Sequence, residues 1–138
     1  MTASSSPQIV TLPNGLKIIA AQRPYGKTFA AVLTFRVGSY DDPAGIPGLA
    51  HFCEHLAFRG ENIGIAEKLA SAGAYINAFT APEYTQFIAV GHVNHLETGL
   101  VCLSNALQNL PLTENDITAE REIFRHELTE VAEPSQRE

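Results

Sequence analysis

The stretch GIPGLAHFCEHLAFRG, residues 45–60, carries two histidines and a glutamate within five positions of what otherwise reads as a buried helix. The residues leading into the helix, GSYDDPAGIPG (38–48), hold three glycines and two prolines and read as a loop. A helix is expected from about Leu49 to Phe58. Imidazole and carboxylate are poor core material unless something pairs with them. A metal, a hydrogen-bond partner or neither could be the reason, and the rest of the chain has to decide.

On a helix turning about 100° per residue, with His51 at 0°, His55 falls at about 40° and Glu54 at about 300°. The three share one sector. Leu49, Phe52, Cys53 and Leu56 lie on the opposite side, so Cys53 reads as core and not as a ligand. Histidines at i and i+4 can reach one metal ion, and zinc favours neutral imidazole nitrogen. Glu54 lies close enough to hold a water at such a metal. A catalytic zinc usually takes three protein ligands, so a third is needed.

The last helix, expected from Glu114 to Ala132 with Thr113 as N-cap and Asp116 in a capping-box role, offers a candidate. With Ile117 at 0°, the residues Leu128, Phe124, Val131 and Ile123 fall in one apolar arc, and Glu120 and Glu127 fall inside it at about 300° and 280°. Carboxylates on an apolar face are costly unless a cation or strong donors meet them. HFCEH on one helix and Glu120/Glu127 on another therefore read as two halves of one metal site. His92 and His95 (GHVNH) have no facing carboxylates and read as exposed turn residues. Glu127, Glu130 and Glu133 could also form a solvated acidic face, a reading that only the position of Glu127 resists.

Working outward, residues 1–7 are small and polar and are expected to be disordered, with one domain over 8–138. TLPNGLKIIAA reads as a hairpin turning at Pro13-Asn14-Gly15, and TFAAVLTFRV (28–37) as a third strand. A short helix fits Ile63 to Ala72, closed by Gly73. AYINAFT and YTQFIAVG read as two more strands. Leu96, Leu100, Leu103 and Leu107 recur at helical spacing. The order predicts an α+β fold, a mostly antiparallel sheet with helices packed on one face.

The 138 residues are 45% hydrophobic and carry a net charge of −6, which argues against nucleic acid and anionic membrane as partners. No apolar run approaches the ~20 residues that span a bilayer. MTASSSPQIV shows no secretory signal, and no arginine precedes Arg23. Two cysteines, Cys53 and Cys102, make no disulfide framework, so a cytoplasmic location is expected.

The HxxEH spacing of His51, Glu54 and His55 is the inverted zinc signature. With it, TLPNGLKI, GSYDDPAGIPGLAHFCEHLAFRG, INAFTAPEYTQF and AEREIFRHELTE follow in the order of one family. The chain resembles the zinc metallopeptidases of the pitrilysin, insulin-degrading enzyme and mitochondrial processing peptidase family over residues 9 to about 131. The resemblance implies the N-terminal part of one pitrilysin-type half. It implies Zn2+ as cofactor, His51, His55 and Glu127 as ligands, Glu54 as general base and Glu120 as a supporting acid behind the ligands. Asn77, Ala78 and Phe79 match the strand along which an extended peptide substrate pairs. The implied reaction is peptide-bond hydrolysis, with Glu54 taking the proton of a zinc-activated water and passing it to the leaving amine.

The chain departs from the family in two ways. The segment between HFCEH and INAFT is several residues shorter, and the family's halves are considerably longer than this chain. A second pitrilysin-type half, or self-association, is therefore the expected partnership. A non-catalytic peptide-binding or scaffold subunit of the same fold is the alternative.

Overall fold

A computed structural model describes residues 6–59, 61–106, 108 and 112–132. The expectation of disorder for residues 1–5 lies outside them, as do Leu107 and Glu133 and the side chains of Glu130 and Val131. Ser6 and Pro7 are exposed and lead directly into the first strand.

Strands β1 (Gln8–Thr11) and β2 (Lys17–Ala20) form the expected antiparallel hairpin, with Ile9 opposite Ile19 and Val10 opposite Ile18. Leu12 N donates to Leu16 O at 2.9 Å across the turn. The hairpin is a two-stranded sheet of its own, exposed along both strands, and not part of the main sheet. The main sheet joins β3 (Thr28–Phe35), β4 (Tyr75–Thr80) and β5 (Thr85–His92), antiparallel throughout, with β5 in the centre.

Alternation sets which face of this sheet is covered. Phe29 on β3 and Thr85, Phe87, Ala89 and Gly91 on β5 point inward and are buried. Helices α1 (Leu49–Leu56), α2 (Glu61–Ser71) and α3 (Leu96–Asn105) pack on the sheet, and α4 (Glu114–Ala132) packs on α1. Phe29, Ala57, Phe87, Ala89, Leu103 and Ala106 form the larger core cluster, while Leu69, Ala74 and Cys102 form a second beneath α2. Fully burying a side chain the size of Phe87 stabilises the fold by about 1.5–3 kcal/mol. The α+β class and the packing on one face agree with the sequence.

The leucine spacing correctly marks α3, which turns its Gly99–Cys102–Leu103 side to the core and leaves Leu96 and Leu100 exposed. Other assignments need correction. On α4, Phe124 and Glu120 are buried while Ile123 and Leu128 are about half exposed (48% and 49%). The apolar arc of α4 is wider than its contact with α1. His92 is exposed, whereas His95 is half-buried at the 3-10 turn that leads into α3. No helix among the described residues is long and apolar enough to cross a membrane.

The entry to α1 is held by its loop. Gly48, the N-cap, has φ +87°, a left-handed conformation that favours glycine, and it has no side chain to cap the helix. Asp42 takes that role from six residues upstream, accepting from Gly48 N at 2.7 Å and Ala50 N at 2.8 Å. The loop is itself anchored to the β4–β5 turn, where Ser39 N donates to Ala81 O and Tyr40 N to Pro82 O. Gly38 lies so close to that turn that a Cβ there would sit 2.2 Å from Ala81 O.

Candidate metal centre

Helix α1 presents His51 and His55 on one face, and α4 crosses that face with Glu120, Phe124 and Glu127, residues spaced at four and three so that they stack along one side. His55 Nε2 lies 3.1 Å from His51 Nε2 and 3.2 Å from one oxygen of Glu127. His51 Nε2 lies 3.7 Å from the other oxygen of Glu127. One donor atom from each of the three residues falls within 4.8 Å of the others, the one such group of three or more possible metal ligands among the described residues.

Two observations bear on whether a metal fits. Ligands about 2.0–2.1 Å from a tetrahedral zinc stand about 3.3–3.4 Å from one another, close to the separations found here. The second is the chemistry of the donors. A carboxylate only accepts, so His55 Nδ1 must donate to Glu120 Oε1 at 2.8 Å. In the neutral ring that leaves Nε2 with a lone pair aimed at the other two groups. Two imidazoles and a carboxylate suit zinc.

Phe124 closes one side of the cluster, its ring meeting those of His51, His55 and Phe52 edge-on at 5.0, 5.4 and 5.4 Å between centroids. Glu120 behind the histidines is buried, and its second oxygen accepts from Arg59 Nε. Glu127 is the more open member, its side chain 43% exposed.

Glu54 is buried between α1 and the sheet and accepts from Thr80 Oγ1 at 2.6 Å. That bond ties the last residue of β4 to the helix that carries both histidines. Ala78 is half-buried on the inner face of β4, whereas Asn77 and Phe79 are exposed on its outer face. Asn77 Nδ2 donates to Tyr75 OH at 2.6 Å. One side of β4 pairs with β5, and no described strand lies on the other.

Cys53 is not in the core. It is exposed beside a depression of about 290 Å³ lined with Phe35, Val37, Pro43, Leu49 and Phe87, while Glu54, assigned to the polar face, is buried. Both sides of α1 are covered in part, one by α4 and one by the sheet, so a two-sided wheel mislabels the residues between them. Partial desolvation, and then the carboxylate of Asp42, raise the Cys53 thiol above its ordinary pKa.

Four contributors escaped the sequence reading: Asp42, Arg59, Thr80 and the edge-on ring contacts of Phe124. Arg59 stands eight residues after His51, at about 80° on the same wheel and next to His55, so its spacing carried a signal. Thr80 ends the strand INAFT but nothing local marks its partner.

The profile of the insulinase family, peptidase family M16, matches residues 17–137. The mitochondrial-processing peptidase subunit beta of Caenorhabditis elegans is 33% identical over 129 residues, 91% of this chain and 28% of that protein. A zinc protease of Rickettsia bellii, itself uncharacterized, is 32% identical over 121 residues, 85% of this chain and 29% of the relative. Among solved structures, pitrilysin superposes with a TM-score of 0.82 at 28% identity, over 94% of this chain and 15% of that one. The chain thus spans less than a third of each of these proteins. With the match running over most of its length, the chain belongs to the insulinase family, peptidase family M16.

Proposed function

We propose that the chain is the metal-bearing part of a zinc-dependent endopeptidase, with His51, His55 and Glu127 holding one zinc ion and Glu54 acting as general base. The observation that carries this reading is the convergence of three Lewis bases at separations close to the edges of a zinc tetrahedron. Zinc there would polarise a peptide carbonyl and make water more acidic. Glu54, buried and oriented by Thr80, takes a proton from the attacking water and delivers it to the leaving amine. Glu120 fixes the His55 ring through Nδ1.

The substrate is an extended peptide or unfolded segment lying along the free side of β4, where main-chain hydrogen bonds near Asn77, Ala78 and Phe79 would hold it. Such binding reads backbone more than side chains. The relatives are more than three times as long as this chain, and one is a processing-peptidase subunit, which supports a partner half that completes the substrate site.

The test is metal content together with peptide cleavage in wild type, Glu127→Gln and Glu54→Gln. Wild type is expected to hold about one zinc per chain, as one tetrahedral site requires. Glu127→Gln should hold much less, and Glu54→Gln should keep zinc while losing about 10²–10⁴-fold in any cleavage. Zinc without cleavage by wild type would point to a missing partner half or to the non-catalytic binding role, and a pull-down would distinguish them. No zinc under metal-replete conditions would refute the proposal.

A further inference from the structure

We propose that Arg59 is a positioning residue for the metal site, acting through Glu120 on the orientation of His55. The inference rests on the zinc reading above and deepens it.

Arg59 follows the C-terminal turn of α1 and reaches across to α4, where its Nε donates to Glu120 Oε2. The other oxygen of the same carboxylate accepts from His55 Nδ1 at 2.8 Å. Each oxygen of Glu120 therefore has one assigned donor, and the two donors pull on it from different places. A carboxylate held by His55 alone could turn about its last bond and take the imidazole with it. With Arg59 on the second oxygen that rotation is closed, and the direction of His55 Nε2 is set.

Burial makes the arrangement consequential. The Glu120 side chain is 4% exposed, against 27% for Arg59, so the carboxylate has little water to fall back on. Among the described residues, Arg59 is the one permanently charged cation in contact with it. The charge of Arg59 is also felt at Asp116, one turn earlier on α4. That carboxyl is held below its ordinary value chiefly by the Thr113 side chain and backbone, and then by the charge of Arg59. Arg59 thus ties the turn of α4 that carries Glu120 to the end of the helix that carries both histidines.

The experiment measures zinc affinity by chelator competition in the full chain for wild type, Arg59→Gln, Arg59→Lys, Glu120→Gln and the Arg59→Gln/Glu120→Gln double variant. Folding of each without metal is checked by circular dichroism. Arg59→Gln is expected to weaken zinc binding about 10-fold, at the lower end of the 10–100-fold effect of outer-shell partners. Arg59→Lys, which keeps the charge, should stay within about 3-fold of wild type, a rescue that a purely steric role for the side chain would not give. The double variant should bind zinc as Glu120→Gln does, within about 2-fold, because Arg59 has nothing to orient once the carboxylate is gone.

Wild-type affinity in a folded Arg59→Gln variant, or losses that multiply in the double variant, would overturn the inference while leaving the zinc site intact. Absence of zinc in wild type would overturn both. Should Arg59→Gln fail to fold, the double variant, which removes the buried charge together with its cation, decides. Equality with Glu120→Gln supports the relay, and a further 10-fold loss refutes it.

Discussion

Replacing Asp42 by alanine is expected to loosen the histidine-bearing helix without touching a histidine. The carboxylate accepts from the backbone N–H groups of Gly48 and Ala50 at 2.7 and 2.8 Å, two of the donors that a helix start leaves unpaired. Hydrogen bonds to a charged group contribute about 1.5–3 kcal/mol each when buried, and a typical N-cap about 1 kcal/mol. Asp42 is half-buried, so the N-cap figure of about 1 kcal/mol applies to each bond, and the pair together contributes about 2 kcal/mol, including the favourable charge at the helix N-terminus. Asp42→Asn keeps one acceptor oxygen and should lose about half of that. For a chain of this size about 4 °C of melting temperature accompanies each kcal/mol, so the expected drops are about 8 °C for alanine and about 4 °C for asparagine. Thermal unfolding of the metal-free chain, followed by far-UV circular dichroism, measures both. Alanine within about 2 °C of wild type, or asparagine as damaging as alanine, would refute the remote-cap argument.

Gly38→Ala should be among the most damaging single-methyl changes. Its Cβ would stand 2.2 Å from Ala81 O and 2.5 Å from Pro82 O, backbone atoms that cannot swing aside, so a loss of about 3 kcal/mol is expected in a denaturant titration. An unshifted midpoint would show that the loop moves freely away from the turn. The cap of α4 should respond to acid. The Asp116 carboxyl lies below its ordinary pKa because Thr113 donates to it from side chain and backbone. The unfolded chain therefore binds its proton first as pH falls, and the cap's stabilisation, complete above the ordinary aspartate range near ~4, is lost as pH falls through the lowered folded value. A stability–pH profile should fall less steeply in that acid window for Thr113→Ala than for wild type, and identical slopes would contradict it.

Much of the centre was legible because its residues break a local rule. Two imidazoles on one short helix and two carboxylates inside an apolar arc on another are expensive unless they meet, and the structure brings these four together, while Glu54 turns to Thr80 instead. The α4 cap was equally local, since Thr113 and Asp116 need only their own turn. What escaped depends on tertiary geometry. The exposure of Ile123 and Leu128 follows from how narrow the contact with α1 is, and that of Cys53 from α1 being covered on two sides. Arg59 and Thr80 matter through partners 61 and 26 positions away, a distance at which residue periodicity carries no information.

The cluster spans two helices, with His51 and His55 on α1 and Glu127 on α4. Neither helix alone offers more than a pair of imidazoles or a carboxylate, so the complete donor set exists only once the chain has folded. A cation that takes all three donors therefore binds the native state and hardly the unfolded one. The free concentration of that cation becomes a determinant of stability, worth about 2.7 kcal/mol at 100 times its Kd. For the chain with zinc bound as proposed, chelation would act first as a denaturing influence, felt by the whole chain and not only at the centre.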